Sequence, residues 1–325
     1  MIKRRTMLAA TTAGLAGVAL NASAQTYPAK AIRLLVPQAP GGGNDTMARM
    51  IGQKLTGTLK QQFAIDNRPG AGGMIAAELA AKAPPDGYTL LLSNVATMAI
   101  IPNVQKKPPY DPLKDFEPIS LLAQAPLLVV VHPSLPVKSM KELVVLAKTK
   151  PGQVNYASNG IGSSTHLATE LFIMMAGIKL THVPYKGLAP ALTDVLSGQV
   201  PLMFSSAVAM MPHVKAGKLR AIGTTAAKRS SAQPEIPTVA EATGLKDYEA
   251  GSWYGLSAPA GTPRAIVDLL NRETVAAMKA PDIVERLNFE GVIAVGNSPE
   301  EFAAYIRKEH ARIGKVIRAS DAKFD

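Results

Sequence analysis

One local pattern recurs along this chain: a short apolar strand, a glycine-containing loop, and then an amphipathic helix. In one clear copy, residues 153–158 read as a strand and residues 159–162 as a tight glycine turn. Leu167, Leu171 and Met174 then recur at helical spacing. A strand that enters a helix through small residues is the repeating unit of sheets covered by helices. The pattern therefore predicts an α/β fold.

The same pattern opens the N-terminal half of the chain. Residues 31–37 form an apolar run, residues 38–45 a polar and glycine-rich loop, and residues 47–55 an amphipathic helix. Strands alternate with helices after that point, which predicts parallel strands joined by right-handed crossovers. Further strands are predicted at residues 63–67, 88–93, 127–131, 182–184, 202–204, 219–224 and 253–258.

The alternating pattern divides into two units. The second unit begins near residue 126, and residues 234–244 read as a linker with a short helix. We predict two α/β domains with a ligand cleft between them. One domain consists of residues 26–125 together with residues 250–325, and the other of residues 126–249.

Three hydroxyl side chains, Ser163, Ser164 and Thr165, follow the glycine turn where the predicted helix begins. The first turn of a helix has unpaired N–H groups and the positive end of the helix dipole, so this position suits a carboxylate or a phosphate. The same residues are typical of a simple helix cap, and both interpretations stay open. Thr165 replaces the third glycine of the dinucleotide fingerprint, and no Gly-Lys-Ser/Thr motif follows. Nucleotide binding is therefore not expected.

Composition excludes several other classes of protein. The chain has no cysteine, so a disulfide framework, a thiolate metal site and a cysteine nucleophile are excluded. Aromatic residues make up 5%, too few for platforms that stack single-stranded nucleic acid. The formal charge is +11, but the basic residues do not cluster, which argues against a nucleic-acid surface. No histidine pair has zinc-site spacing, and we expect neither a metal nor a cofactor.

Residues 1–25 read as a secretory signal. Lys3, Arg4 and Arg5 precede an apolar run at residues 7–20, and Ala22-Ser23-Ala24 follows as a small-residue cleavage site. The apolar run is too short to span a membrane. Arg4 and Arg5 also fit a twin-arginine signal, so both export routes remain open. We expect a periplasmic protein that is cleaved after Ala24.

An exported serine hydrolase is the alternative to a binding protein. His166 follows Ser163 and Ser164 within one helical turn, which places a base near two potential nucleophiles. However, the Gly-x-Ser-x-Gly motif of hydrolases is absent, and a histidine close in sequence is not a positioned base. A binding protein without enzymatic activity is the preferred interpretation.

A series of short motifs occurs in order along the mature chain: residues 37–42, Asp45, Ala48, Arg49, and residues 67–73, 110–112, 115–116, 159–160, 163–167, 183–187, 237–238 and 258–263. With these motifs the mature chain resembles the extracytoplasmic solute-binding receptors of tripartite tricarboxylate transporters, the Bug (Bordetella uptake gene) family. The resemblance implies a two-domain protein of the type II periplasmic-binding-protein architecture, which closes on its ligand like a Venus flytrap. It also implies delivery of a small organic acid to membrane permease subunits, and we expect the protein to be a monomer.

The resemblance and the sequence patterns together give a set of candidate ligand-binding residues. In the family, backbone amides and hydroxyls of two facing loops hold the ligand carboxylate. Ser93 and Asn94 join the set because they end a predicted parallel strand, where ligands of such sheets bind. The candidates are Ala39, Pro40, Gly41, Gly42, Asn44, Asp45, Ser93, Asn94, Ser158, Asn159, Gly160, Gly162, Ser163, Ser164, Thr165, His166, Phe204 and Ser205.

Overall fold

The computed structural model describes residues 27–40, 43–185, 187–230, 233–289 and 291–319. The predicted signal segment and the candidate residues Gly41 and Gly42 lie outside these ranges. Within the described part, no helix combines the length and the apolar character that crossing a membrane requires.

Strands and helices alternate along the described chain, as the sequence predicts. The strands are β1 Ile32–Val36, β2 Phe63–Asn67, β3 Thr89–Asn94, β4 Phe116–Val131, β5 Asn155–Ser158, β6 Thr181–Pro184, β7 Leu202–Ser206, β8 Arg220–Thr224, β9 Gly251–Pro259 and β10 Ile293–Ala294. The helices are α1 Gly43–Leu59, α2 Met74–Ala81, α3 Ile101–Val104, α4 Met140–Thr149, α5 Ser164–Ala176, α6 Leu188–Leu196, α7 Ala207–Lys215, α8 Val239–Thr243, α9 Arg264–Met278, α10 Pro281–Phe289 and α11 Pro299–Ala319.

The first sheet has the order β2-β1-β3-β9-β4, with β10 added to β4. β1 pairs in parallel with β2 and with β3, which confirms the predicted parallel start. β9 pairs antiparallel with both β3 and β4. Ile32, Leu34 and Leu35 of β1 are fully buried because helices cover both faces of the sheet, as is usual for a central parallel strand.

β4 is a single strand of 16 residues that belongs to both sheets. Its first part pairs with β9, and its last five residues pair with β7 and β8. The sequence predicts a strand only from residue 127, because Pro118 and Pro126 resemble strand breaks. In the structure Pro126 is the register partner of Gly251. A Cβ on Gly251 would lie 2.5 Å from the Ala125 carbonyl oxygen, so only glycine allows this close approach of the strands.

The second sheet continues from β4 in the order β4-β7-β5-β6, with β8 also paired to β4. β5 is parallel to β6 and to β7, while β7 runs antiparallel to β4. The segment predicted as a linker contains α8, whose N-terminus has a capping box formed by Thr238 and Glu241. α3, α10 and β10 were not predicted. The proposed domain boundaries, residues 26–125 with 250–325 and residues 126–249, stay a prediction.

Candidate functional site

A cavity of about 390 Å³ lies between the carboxyl ends of strands from the two sheets. The first sheet contributes Gln38 and Asn44, which follow β1, and the second contributes the ends of β5 and β7. Among the described residues, no charged side chain lines this cavity. The lining residues are Gln38, Gly43, Asn44, Ala125, Pro126, Leu127, Asn159, Ser164, Thr165, Leu188, Ser205, Ser206, Ala207, Ser252, Tyr254, Gly291 and Val292.

Four helices begin at this cavity. The first residues of α1, α5, α6 and α7 all line it: Gly43, Ser164, Leu188 and Ala207. The first N–H groups of a helix have no partner within the helix, and its N-terminus carries roughly half a positive elementary charge. α1 approaches from the first sheet and the other three from the second. The cavity therefore presents N–H donors and positive potential from both sides, and none of the described residues that line it is cationic.

The three hydroxyl residues before and within the first turn of α5 have different roles. The Ser163 hydroxyl accepts a hydrogen bond from the His166 N–H at 3.3 Å and donates to the Gly160 carbonyl oxygen at 2.7 Å. The Thr165 hydroxyl accepts from the Asn159 N–H at 2.9 Å. Ser163 is therefore the helix cap, and Thr165 holds the loop against the helix while also lining the cavity. Ser164, the first residue of α5, lines the cavity.

On the opposite side, Asn44 is oriented by a chain of side-chain amides. Asn94 donates from Nδ2 to the Asn44 Oδ1 at 2.8 Å, and Asn44 donates from its own Nδ2 to the Gln38 Oε1 at 2.6 Å. The Asn94 Oδ1 in turn accepts from the Thr97 N–H at 3.0 Å. Asn94 is 2% exposed and lies behind Asn44 rather than on the cavity wall. It positions Asn44, which is a role that the sequence did not reveal.

A stacked pair of histidines, the fully buried His166 and the half-buried His182, lies beneath the loop before α5. His166 stacks on His182 with ring centroids 4.1 Å apart and planes within 9°. The Gly162 N–H donates to the His166 Nδ1 at 3.1 Å, and the Ser158 hydroxyl and the His182 Nε2 are 2.7 Å apart. Burial lowers the pKa of each imidazole from 6.5 to about 4. Both rings are therefore neutral at neutral pH and can accept these hydrogen bonds.

The hydrogen bonds of these residues do not form the arrangement that a serine hydrolase needs. The Ser163 hydroxyl contacts Gly160, Thr165 and the His166 main chain, and the His166 Nδ1 accepts from Gly162. Ser158, which does contact a histidine ring, is fully buried and cannot reach a substrate. A nucleophile requires both a positioned base and access to the substrate. The geometry therefore favours a scaffold role for this cluster.

The structure distributes the predicted site residues that it describes over four positions. Asn44, Asn159, Ser164, Thr165 and Ser205 line the cavity. A second group lies beside or beneath it, and Phe204 is fully buried in the core. Ala39 and Pro40 are exposed before α1 and are not among the lining residues. The residues beside or beneath the cavity are Asp45, Ser93, Asn94, Ser158, Gly160, Gly162, Ser163 and His166.

Several lining residues were not among the candidates. Leu188 begins α6 after a strand and Gly187, so the strand, glycine and helix pattern could have identified it. Tyr254 comes from β9 and Val292 from the segment before β10, and neither carries a local motif that marks a site. Tyr254 reaches the cavity because β9 is inserted between β3 and β4, and Val292 reaches it because β10 pairs with β4.

The chain is similar in sequence to known proteins. A family model described as "Tripartite tricarboxylate transporter family receptor" matches residues 47–321. Protein BugT of Bordetella pertussis is 38% identical over 309 residues, which is 95% of this chain and 94% of that protein.

Two solved structures with ligands are similar to the whole described fold. Rpa4515 of R. palustris with adipate is 38% identical, with a TM-score of 0.74 over 90% of this chain and 97% of that one. MatC of Rhodopseudomonas palustris with bound malate is 33% identical, with a TM-score of 0.71 over 90% of this chain and 100% of that one. The predicted fold class, a two-domain α/β periplasmic-binding-protein architecture, is confirmed.

Proposed function

The chain belongs to the tripartite tricarboxylate transporter receptor family, and from this premise we propose that it captures a small organic carboxylate and delivers it to the permease subunits of a membrane transporter. It acts as a binding protein and not as an enzyme. The family and the predicted signal segment support a periplasmic location, with cleavage after Ala24 and a monomeric mature protein.

The observation that carries this proposal is the meeting of four helix N-termini at one uncharged polar cavity. Main-chain N–H groups that point at a carboxylate offset its charge without an arginine or lysine clamp. Asn44, Ser164 and Ser205 add neutral polar side chains to the same wall. A cavity of about 390 Å³ is of the size that proteins use for small ligands, which starts at roughly 300 Å³.

The relatives support a ligand with two carboxylates. Adipate and malate, which are bound in two of the similar structures, both carry a carboxylate at each end. In this chain α1 faces the cavity from one sheet and α5, α6 and α7 from the other, so a carboxylate at each end of a ligand would meet a helix N-terminus. We propose a dicarboxylate as the ligand class.

We also propose that ligand binding closes two domains about β4 and β9. The proposed domains are residues 26–125 with 250–325 and residues 126–249. Pro126 and Gly251 are register partners, so the two passages of the chain between the sheets lie side by side. Such paired crossings allow one half to rotate against the other with little change elsewhere, which is the usual basis of hinge closure.

Thermal unfolding of the mature protein with a panel of organic acids tests the proposal. A ligand that binds only the folded protein stabilises it by about 2.7 kcal/mol at a hundred times its Kd. We expect malate or adipate, or another dicarboxylate, to raise the melting temperature by several degrees. Adipamide, which has the length of adipate but no charge, should have no effect. A panel of mono-, di- and tricarboxylates without any stabilising member would contradict the proposal.

Ser164→Ala and Ser163→Ala form a matched pair that separates binding from capping. Loss of a hydroxyl contact to a carboxylate costs about 1.5–3 kcal/mol, or roughly ten- to a hundredfold in affinity, and we expect this for Ser164→Ala by calorimetry. Ser163→Ala should instead lower the free energy of unfolding by about 1 kcal/mol, since Ser163 caps α5. If Ser164→Ala bound the ligand normally, this wall would not be the binding wall.

A further inference from the structure

A second cavity, of about 230 Å³, lies on the other face of β4 and β9. We propose that it is a second small-molecule site, for an uncharged one-ring compound that carries a hydrogen-bond acceptor. α11, the segment after β8 and the residues around the start of β9 complete its walls. The residues that line it are Gln124, Pro126, Ala226, Ala227, Lys228, Glu249, Ala250, Gly251, Ser252, Trp253, Ile293, Tyr305, Glu309 and Arg312.

Strand register directs Trp253 and Gln124 away from the carboxylate cavity, and Pro126 and Ser252 line both cavities. Gln124 is the register partner of Trp253, and Ala123 is the partner of Tyr254. Successive residues of a strand project to opposite faces, and partners in an antiparallel pair project to the same face. Tyr254 lines the carboxylate cavity, so Trp253 and Gln124 project away from it. There Trp253 makes edge contacts with Tyr305 of α11 at a centroid distance of 5.6 Å.

Buried N–H donors of Trp253 and Arg312 at this cavity have no hydrogen-bond acceptor among the described residues. Trp253 is 1% exposed, and its indole Nε1 has no hydrogen-bond partner among the residues that the structure describes. The same holds for the buried Nε and Nη1 atoms of Arg312, whose Nη2 pairs with Glu309 at 2.8 Å. A buried donor without an acceptor is energetically costly and is rare in native proteins. An acceptor oxygen on a ligand beside Trp253 and Arg312 would relieve that cost.

The positive and negative side chains around the cavity are equal in number, which favours an uncharged ligand. Lys228 and Arg312 are balanced by Glu249 and Glu309, and the Gln124 amide already donates to the Glu249 carboxylate at 2.8 Å. Neither an anion nor a cation is therefore favoured over an uncharged compound, because a charged ligand would lose its hydration without a surplus of opposite charge.

The volume of the cavity and its apolar walls indicate the size of the ligand. An apolar cavity of about 150 Å³ holds benzene, so a cavity of about 230 Å³ holds one ring with a small polar substituent. The Trp253 and Tyr305 rings, with Pro126, Ala226 and Ala250, supply the apolar walls for such a ring. Benzamide has these properties, since it joins one ring to a neutral carbonyl group.

Fluorescence titration of the mature protein with benzamide tests the site directly. Trp253 is the single tryptophan of the chain and lines this cavity, so its emission responds to a compound that binds there. We expect a saturable change with benzamide and at least tenfold weaker binding of toluene, which has the ring but no acceptor. Toluene binding as tightly as benzamide, or benzoate or benzylamine binding more tightly than benzamide, would overturn the proposed ligand class.

Two substitutions of alanine by phenylalanine test where benzamide binds, one at the cavity and one as its matched control. Ala227 is exposed at this cavity, and Ala216 is exposed at the end of α7 away from it. Ala227→Phe should lower benzamide affinity at least tenfold, while Ala216→Phe should leave it unchanged, with both variants folded by circular dichroism. Adipate or malate binding should persist in Ala227→Phe, so failure of this site and failure of the proposed function are distinguishable. Unchanged benzamide affinity in Ala227→Phe, or no saturable signal in the parent protein, would refute the site.

Discussion

The stacked histidines predict a loss of stability in mild acid that can be assigned to two residues. Burial lowers the pKa of His166 to about 4, and burial together with the neighbouring His166 imidazole lowers the pKa of His182 to about 4. The Glu170 carboxylate, 3.9 Å from the His166 Nε2, acts in the opposite direction, but burial dominates. Between pH 6.5 and about 4 the unfolded chain therefore binds more protons than the folded chain. Stability falls as the pH falls through this window.

The size of the effect follows from the shift of His166, whose side chain is fully buried. A difference of one pKa unit between the folded and unfolded states corresponds to about 1.4 kcal/mol. A pKa lowered from 6.5 to about 4 therefore gives a contribution of roughly 3 kcal/mol that is complete above pH 6.5 and mostly lost by pH 4.5. His182 adds less because it is partly exposed. Against a total of about 5–15 kcal/mol, this loss is large.

Non-titrating substitutions isolate the two histidines. Asparagine has an acceptor oxygen near the position of the imidazole Nδ1, and glutamine has one near Nε2. His166→Asn with His182→Gln therefore keeps acceptors for the Gly162 N–H and the Ser158 hydroxyl but removes the titration. Urea unfolding at pH 7.5, 6.5, 5.5 and 4.5 gives the free energy of each protein.

We expect the parent protein to lose at least roughly 2.5 kcal/mol more than the double variant between pH 7.5 and pH 4.5, because His166 alone gives this difference and His182 adds to it. His213→Gln, a change on the last turn of α7, is the control and should behave as the parent protein does. If the parent and the double variant lost the same free energy across this range, the two histidines would not be the acid-sensitive groups, and the argument from burial would be refuted.

Two further predictions concern substitutions at Gly255 and at Gly160. A Cβ on Gly255 would overlap the Phe302 ring, so Gly255→Ala should lower the free energy of unfolding by at least the roughly 1–3 kcal/mol that is typical of overpacking. Gly57→Ala is the control: Gly57 lies in open space within α1, so this substitution should be neutral or stabilising. Chemical denaturation measures both free energies. Gly160→Val should abolish carboxylate binding in calorimetry, because Gly160 has a φ of 127° and a Cβ there would lie 3.1 Å from the Tyr185 carbonyl oxygen. Normal binding by this variant would show that the loop before α5 tolerates a side chain and does not hold the ligand closely.

Much of the fold could be predicted from the sequence because local patterns determine it. β2 has the predicted bounds, and α5 follows its glycine turn with Ser163 as the cap. β4 could not be predicted as one strand, because Pro126 lies where the strand passes from one sheet to the other, and local propensity contains no information on that passage.

The candidate site could be predicted only in part, for a similar reason. Ser164 and Thr165 carry a local signal, a hydroxyl pair at a helix start after a glycine turn. Tyr254 and Val292 reach the same cavity through pairing between distant parts of the chain, and Asn94 acts through Asn44. Roles that depend on long-range pairing cannot be read from sequence spacing.

The place of β9 in the first sheet also determines the order in which the molecule can be assembled. The strands of the second sheet, from the end of β4 to β8, are complete by residue 224, whereas β3 waits for β9 to cover its edge. A chain that emerges N-terminus first therefore exposes β1, β2 and β3 early, with an unpaired apolar edge that can template aggregation. Contacts between such distant segments also form slowly. The segment from β9 to α11 thus completes the first sheet last.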